Sequence, residues 1–69
     1  MQELDLHGVK HKKAESLIDN FLASADLPCR IITGNSSVMK AIVQKIAKNY
    51  NLEISEENDW NLGAIIIYK

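Results

Sequence analysis

Asp5 and His7 stand two residues apart in the run Leu4-Asp5-Leu6-His7-Gly8. Alternate residues of an extended chain share a face, so the carboxylate and the imidazole would project from the same side. Such a pair can do acid–base work, the carboxylate binding a metal or orienting the ring while the imidazole moves a proton. The same pair can be purely structural. Asp5 can accept the N–H groups of the turn that follows, and His7 can fix the passage from strand to helix. One Asp and one His are too few for a metal site by themselves. The spacing leaves both readings open.

A cationic run follows, Lys10-His11-Lys12-Lys13, with no carboxylate before Glu15. Further along, Thr33-Gly34-Asn35-Ser36-Ser37 gathers short polar side chains around a glycine. Hydroxyls and amides of this size suit phosphate oxygens, and a glycine lets the backbone turn tightly or approach a ligand closely. Lys40, Gln44 and Lys48 recur at four-residue spacing, which would line a helix face. That stripe can follow a phosphate backbone or simply be solvated. His11 can contact phosphate or sit exposed at a helix start. Trp60 lies in a polar segment, where it can stack on a base or cover the end of a small core.

The elements that would position these residues follow from hydrophobic periodicity. Glu3 to His7 alternates as a short strand, with Leu4 and Leu6 on one face, and Gly8 breaks it. Ala14, Leu17, Ile18, Phe21 and Leu22 form the apolar stripe of a helix running from about His11 to Ala25. Pro28 closes that region. Cys29 to Thr33 reads as a second strand, and Gly34-Asn35 turns the chain. Ser36 or Ser37 can cap a second helix, which carries Met39, Ile42, Val43, Ile46 and Tyr50 inward and ends at Asn49 or Tyr50. Leu52 to Ser55 is a third strand, Glu56 to Leu62 a polar loop, and Gly63 to Tyr68 a fourth strand. The unbroken run Ala64-Ile65-Ile66-Ile67 suits a central strand.

The element order is therefore β-α-β-α-β-β. The sequence predicts an α+β two-layer sandwich of the α/β type, a mixed four-stranded sheet of order 1-2-4-3 with both helices on one face. Sixty-nine residues make one domain. A chain this short buries a small core, and the 46% hydrophobic content is enough for a continuous one. Cys29 is the single cysteine, so no intrachain disulfide assists. A lone thiol fits a reducing compartment and is commonly a buried hydrophobe. With no signal-peptide pattern at Glu3 and Asp5 and no long apolar run, the expectation is a cytoplasmic protein without a membrane partner.

The formal net charge of -1 hides an asymmetry. Residues 1–50 carry seven Lys/Arg against five Asp/Glu, whereas residues 51–69 set Lys69 alone against Glu53, Glu56, Glu57 and Asp59. A polyanion is expected to meet the first part of the chain and avoid the last hairpin.

Leu4-Asp5-Leu6-His7-Gly8 resembles the LDLHG opening of Smr (small MutS-related) domains. Ile31-Ile32-Thr33-Gly34-Asn35-Ser36 is similar to the glycine loop of that family, and Asn61-Leu62-Gly63-Ala64-Ile65-Ile66-Ile67 looks like its closing strand. The likeness spans essentially the whole chain. It implies a fold similar to the C-terminal domain of bacterial translation initiation factor three. It also implies DNA or RNA as partner, and, for several members, nicking or cleavage assisted by a divalent metal, Mg²⁺ or Mn²⁺. Asp5, His7, Thr33 and Gly34 match the positions that the family implicates. Three departures are visible. Ser36 stands in place of the second loop glycine, the loop is about one residue shorter, and Lys10, His11, Lys12 and Lys13 replace the usual Thr and acidic residues. The first two bear on cleavage more than on binding, and the third suits a polyanion.

The resulting expectation places Asp5 and His7 as candidate catalytic residues. Gly8, Lys10, His11, Lys12, Lys13, Thr33, Gly34, Asn35, Ser36, Ser37 and Lys40 are the candidate nucleic-acid contacts. A homodimer would double such contacts. The competing readings are a metal-assisted endonuclease and an interaction or adaptor module without chemistry.

Overall fold

A computed structural model describes residues 1–56 and 63–69. Its elements run β1 (Gln2–Asp5), α1 (His11–Ser24), β2 (Cys29–Ile32), α2 (Ser37–Asn49), β3 (Glu53–Glu56) and β4 (Ala64–Tyr68). The sheet order is β1-β2-β4-β3, as expected from the sequence. β1 is parallel to β2, while β4 is antiparallel to both β2 and β3.

Register explains the core. Leu4 pairs with Ile31 and Ile31 with Ile65; Cys29 pairs with Ile67 and Ile67 with Ile54. Residues paired across strands share a face, so these six apolar side chains form one surface. They join Ala14, Ile18 and Leu22 of α1 and Met39, Val43, Ile46 and Ala47 of α2 in one cluster. Both helices therefore cover the same face of the sheet. The opposite face carries Glu3, Arg30, Ile66 and Ser55 in one row and Asp5, Ile32 and Ala64 in the next. No helix among the described residues is long and apolar enough to cross a membrane.

Element ends differ from the sequence reading by a residue or two, each for a local reason. β1 lies at Gln2–Asp5 rather than Glu3–His7. Leu6 still donates to the Ile32 carbonyl at 2.9 Å, but Val9 then donates back to Leu6 at 3.0 Å and Gly8 takes φ +74°, so the chain leaves the ladder. β2 ends at Ile32, because Thr33 turns to bond Gly63. α1 ends at Ser24, with Ala25 as its extended C-cap. α2 ends in a tight reversal: Asn51 adopts φ +58° and donates to Lys48, and Leu52 donates to Ala47, both at 3.0 Å. This is the Schellman arrangement, with asparagine at the left-handed position usually given to glycine. It delays β3 by one residue, to Glu53. Of the expected loop from Glu56 to Leu62, Glu56 belongs to β3, and residues 57–62, with Trp60 and the start of the third family-like segment, lie outside the described residues.

Tyr50 ties the helices together, its hydroxyl lying 2.8 Å from an Asp19 carboxylate oxygen. The bond to Asp19 raises the phenol pKa, with burial and the carboxylate charge adding to it.

Cys29 is fully buried in the sheet's inner face, and burial raises its thiol pKa. Thiolate formation and alkylation then require opening of the fold. Iodoacetamide is expected to modify Cys29 about a hundredfold more slowly in the native chain than in urea, as followed by mass spectrometry. Equal rates would mean that β2 does not lie beneath the helices.

Candidate nucleic-acid interface

Asp5 and Ile32 are the last paired residues of the two parallel strands. His7-Gly8 and Thr33-Gly34 therefore leave the sheet side by side at its C-terminal edge. Both α1 and α2 begin from these turns. Strand ends followed by helix starts are the usual ligand position of open α/β sheets, because first-turn N–H groups lack intrahelical acceptors.

The two helix starts are built differently. At α2, Ser36 is the N-cap, and its hydroxyl accepts the Met39 N–H at 3.1 Å. Ser36 thus has a local structural role. At α1, the N-cap is Lys10, in extended conformation and with no side-chain cap bond. Its carbonyl accepts the N–H groups of Lys13 and Ala14 at 2.9 and 3.0 Å. The N–H groups of His11 and Lys12 precede these and have no intrahelical acceptor. No acidic residue occupies the first turn of α1, and Lys10, His11, Lys12 and Lys13 are all exposed there. Each cation at a helix start costs about 0.3–1 kcal/mol. The sequence places three lysines and a histidine at this one helix start.

Asp5 lies at the strand end, and one of its carboxylate oxygens accepts the His7 N–H at 2.8 Å. The carboxylate therefore shapes the turn that carries His7. His7 is exposed. Among the described residues, no group of three or more His, Cys, Asp or Glu side chains could hold a metal ion. Mg²⁺ or Mn²⁺ at Asp5 would have to take its remaining ligands from substrate phosphate and water.

The glycine loop is anchored by Gly63, the residue just before β4, the strand that the predicted order sets beside β2. The Gly63 carbonyl accepts the N–H of Thr33 at 2.8 Å and that of Gly34 at 3.0 Å. Thr33 is only 5% exposed, and its hydroxyl lies 2.8 Å from the Gly34 carbonyl. Thr33 thus turns inward and shapes the loop, whereas Asn35 and Ser37 are exposed and Ser36 half-buried. Gly34 holds φ +66°, where an L side chain would be strained.

Lys40 belongs to a different environment. Its ammonium lies 3.2 Å from a Glu56 carboxylate oxygen, across from β3. Glu56 pairs with Ile65 and so faces the helical layer. The sequence did not reveal this pair, because it depends on the register of a strand distant along the chain. The structure thus brings Asp5, His7, Gly8, the Lys10–Lys13 segment and the 33–37 loop to one edge. Lys40 stands beside that edge with its charge partly met.

No family model, no curated protein and no solved structure matches this chain.

Removing the Ser36 cap should destabilise without touching the cationic segment. Ser36→Ala is expected to cost about 1 kcal/mol, a fall of roughly 1 M in the urea midpoint for a domain of this size. An unchanged midpoint would mean that the Met39 N–H finds another acceptor.

Proposed function

We propose that this chain is an Smr-type nucleic-acid-binding domain that holds phosphate backbone at the start of α1, beside the glycine loop. The carrying observation is the uncapped, carboxylate-free start of α1 with Lys10, His11, Lys12 and Lys13 exposed on it. A local electrostatic cost without internal compensation is characteristic of a functional position, and bound phosphate would offset it. The partner class, DNA or RNA, follows from the family-like motifs Leu4–Gly8 and Ile31–Ser36.

Binding is the primary reading, and cleavage is an addition to it. In a nicking enzyme, Asp5 would hold the metal and His7 would handle the proton. Asp5 keeps one oxygen on the His7 N–H, which favours a structural contribution alongside any chemistry. An interaction module without chemistry is the second reading, favoured by the net charge of -1.

The test is a titration of labelled single-stranded and duplex DNA and RNA at low salt, with Mg²⁺, Mn²⁺ or EDTA. Three lysines displacing counterions imply a log–log salt slope of about −2 to −3. Lys12→Glu is expected to weaken binding about tenfold or more. No binding to any of the four at low salt would overturn the proposal and favour a protein partner. Metal-dependent cleavage abolished in Asp5→Ala and in His7→Ala, with circular dichroism unchanged, would establish the nuclease. Cleavage surviving both substitutions would assign it to another site or to a contaminant.

A further inference from the structure

Beside the start of α1 runs a surface groove of about 510 Å³ lined by Gly8, Val9, Lys10, Lys13 and Leu17. Lys10, Lys13 and Leu17 recur at three- and four-residue spacing, so they share one side of the helix. This side adjoins the core stripe, where Ala14 and Ile18 are fully buried. Val9 and Leu17 pack against the core yet stay partly exposed along the groove. At Gly8, a Cβ would meet no atom within 4 Å, so this end of the groove is open. The groove therefore joins an apolar floor to two ammonium groups.

Charge separates this groove from its neighbours. A groove between α2 and β3 sets Lys48 against Glu53, and one between α1 and α2 sets Lys12 against Glu15 and Asp19. Carboxylates at those positions repel a phosphate. The groove beside Val9 and Leu17 has Lys10 and Lys13 and no carboxylate in its lining.

We infer that this groove seats the base of an unpaired nucleotide, its face on Val9 and Leu17 and its phosphate by Lys10 and Lys13, which makes single-stranded nucleic acid the substrate class. The inference rests on the nucleic-acid reading above. A base in a duplex has its faces covered by its neighbours and its edge by its partner, so it reaches such a floor only when unstacked. The floor is aliphatic and presents no hydrogen-bonding edge from Val9 or Leu17. Contact is therefore tolerant of base identity and weaker than stacking on an aromatic ring.

The test compares three probes of equal length by fluorescence anisotropy at low salt: a single-stranded DNA, the same strand with abasic sites at alternate positions, and its duplex. The abasic strand is expected to bind about five- to tenfold more weakly than the intact strand, the loss expected from withdrawing a base-sized apolar contact. The duplex is expected to fall below the intact strand as well. Leu17→Ser should narrow the intact-to-abasic gap to about twofold or less. Val9→Ser provides the same readout should Leu17→Ser fail to fold. Equal affinity for intact and abasic strands, with binding still salt-dependent and lost in Lys12→Glu, would overturn the base seat and leave the phosphate reading intact. Preference for the duplex would also overturn it. Absence of binding to all three probes, and to the corresponding RNAs, would overturn both.

Discussion

The candidate site depends on the parallel pairing of β1 with β2. Gln2 through Asp5 lie against Cys29 through Ile32, which forces two turns from distant parts of the chain to leave the sheet at one edge. A parallel pair needs a crossover, and α1 supplies it. That crossover also gives the edge its charge, because α1 begins where β1 ends. If the pairing were antiparallel, the Lys10–Lys13 segment and the glycine loop would stand at opposite ends of the sheet. The pairing is itself held by the inner face. Leu4, Ile31 and Ile65 form one continuous row, and slipping it by one residue would turn Asp5 into the core and Leu4 out of it.

A core of this size leaves little margin, so local bonds matter more than they would in a larger domain. The two helix ends of α2 show how the chain manages this. Ser36 satisfies a first-turn N–H, and Asn51 closes the last turn through a left-handed residue. Tyr50 then bonds Asp19 and fixes α2 against α1. Neither helix has an acidic residue in its first turn, but α1 also lacks a side-chain cap and carries its lysines there. The contrast between the two helices of one small domain gives the cationic start its meaning, since composition alone leaves these lysines an ordinary solvated cluster.

Charge is also partitioned by pairing. Arg30 is bonded to Glu3 on the face of the sheet opposite the helices, and Lys40 to Glu56 of β3. Both cations are thereby partly neutralised by neighbours. Lys10, Lys12 and Lys13 stand exposed at the edge formed by the strand ends. The local field is therefore narrower than the seven basic residues of the first fifty positions suggest. A small, concentrated field of this kind suits a short stretch of backbone, in keeping with the proposed seat for a single nucleotide.

The sequence by itself determined the element order, the two apolar helix stripes, the central position of β4 and the strand order. These depend on periodicities of 3.6 and 2 and on rules of chain connection, all carried by neighbouring residues. It also located the edge where the two turns meet, because parallel strands separated by a helix must end together. Only the tertiary structure decided what individual side chains do there. Thr33 turns inward because the carbonyl of Gly63, thirty residues away and just before β4, captures its N–H. Lys40 meets Glu56 because the β3–β4 register turns that carboxylate toward α2. Asp5 is drawn into its own turn because the chain leaves the ladder one residue after it. The Thr33 and Lys40 outcomes are set by contacts between segments far apart in the chain, which leave no local pattern to read, whereas the Asp5 bond is local and was one of the two readings its spacing allowed.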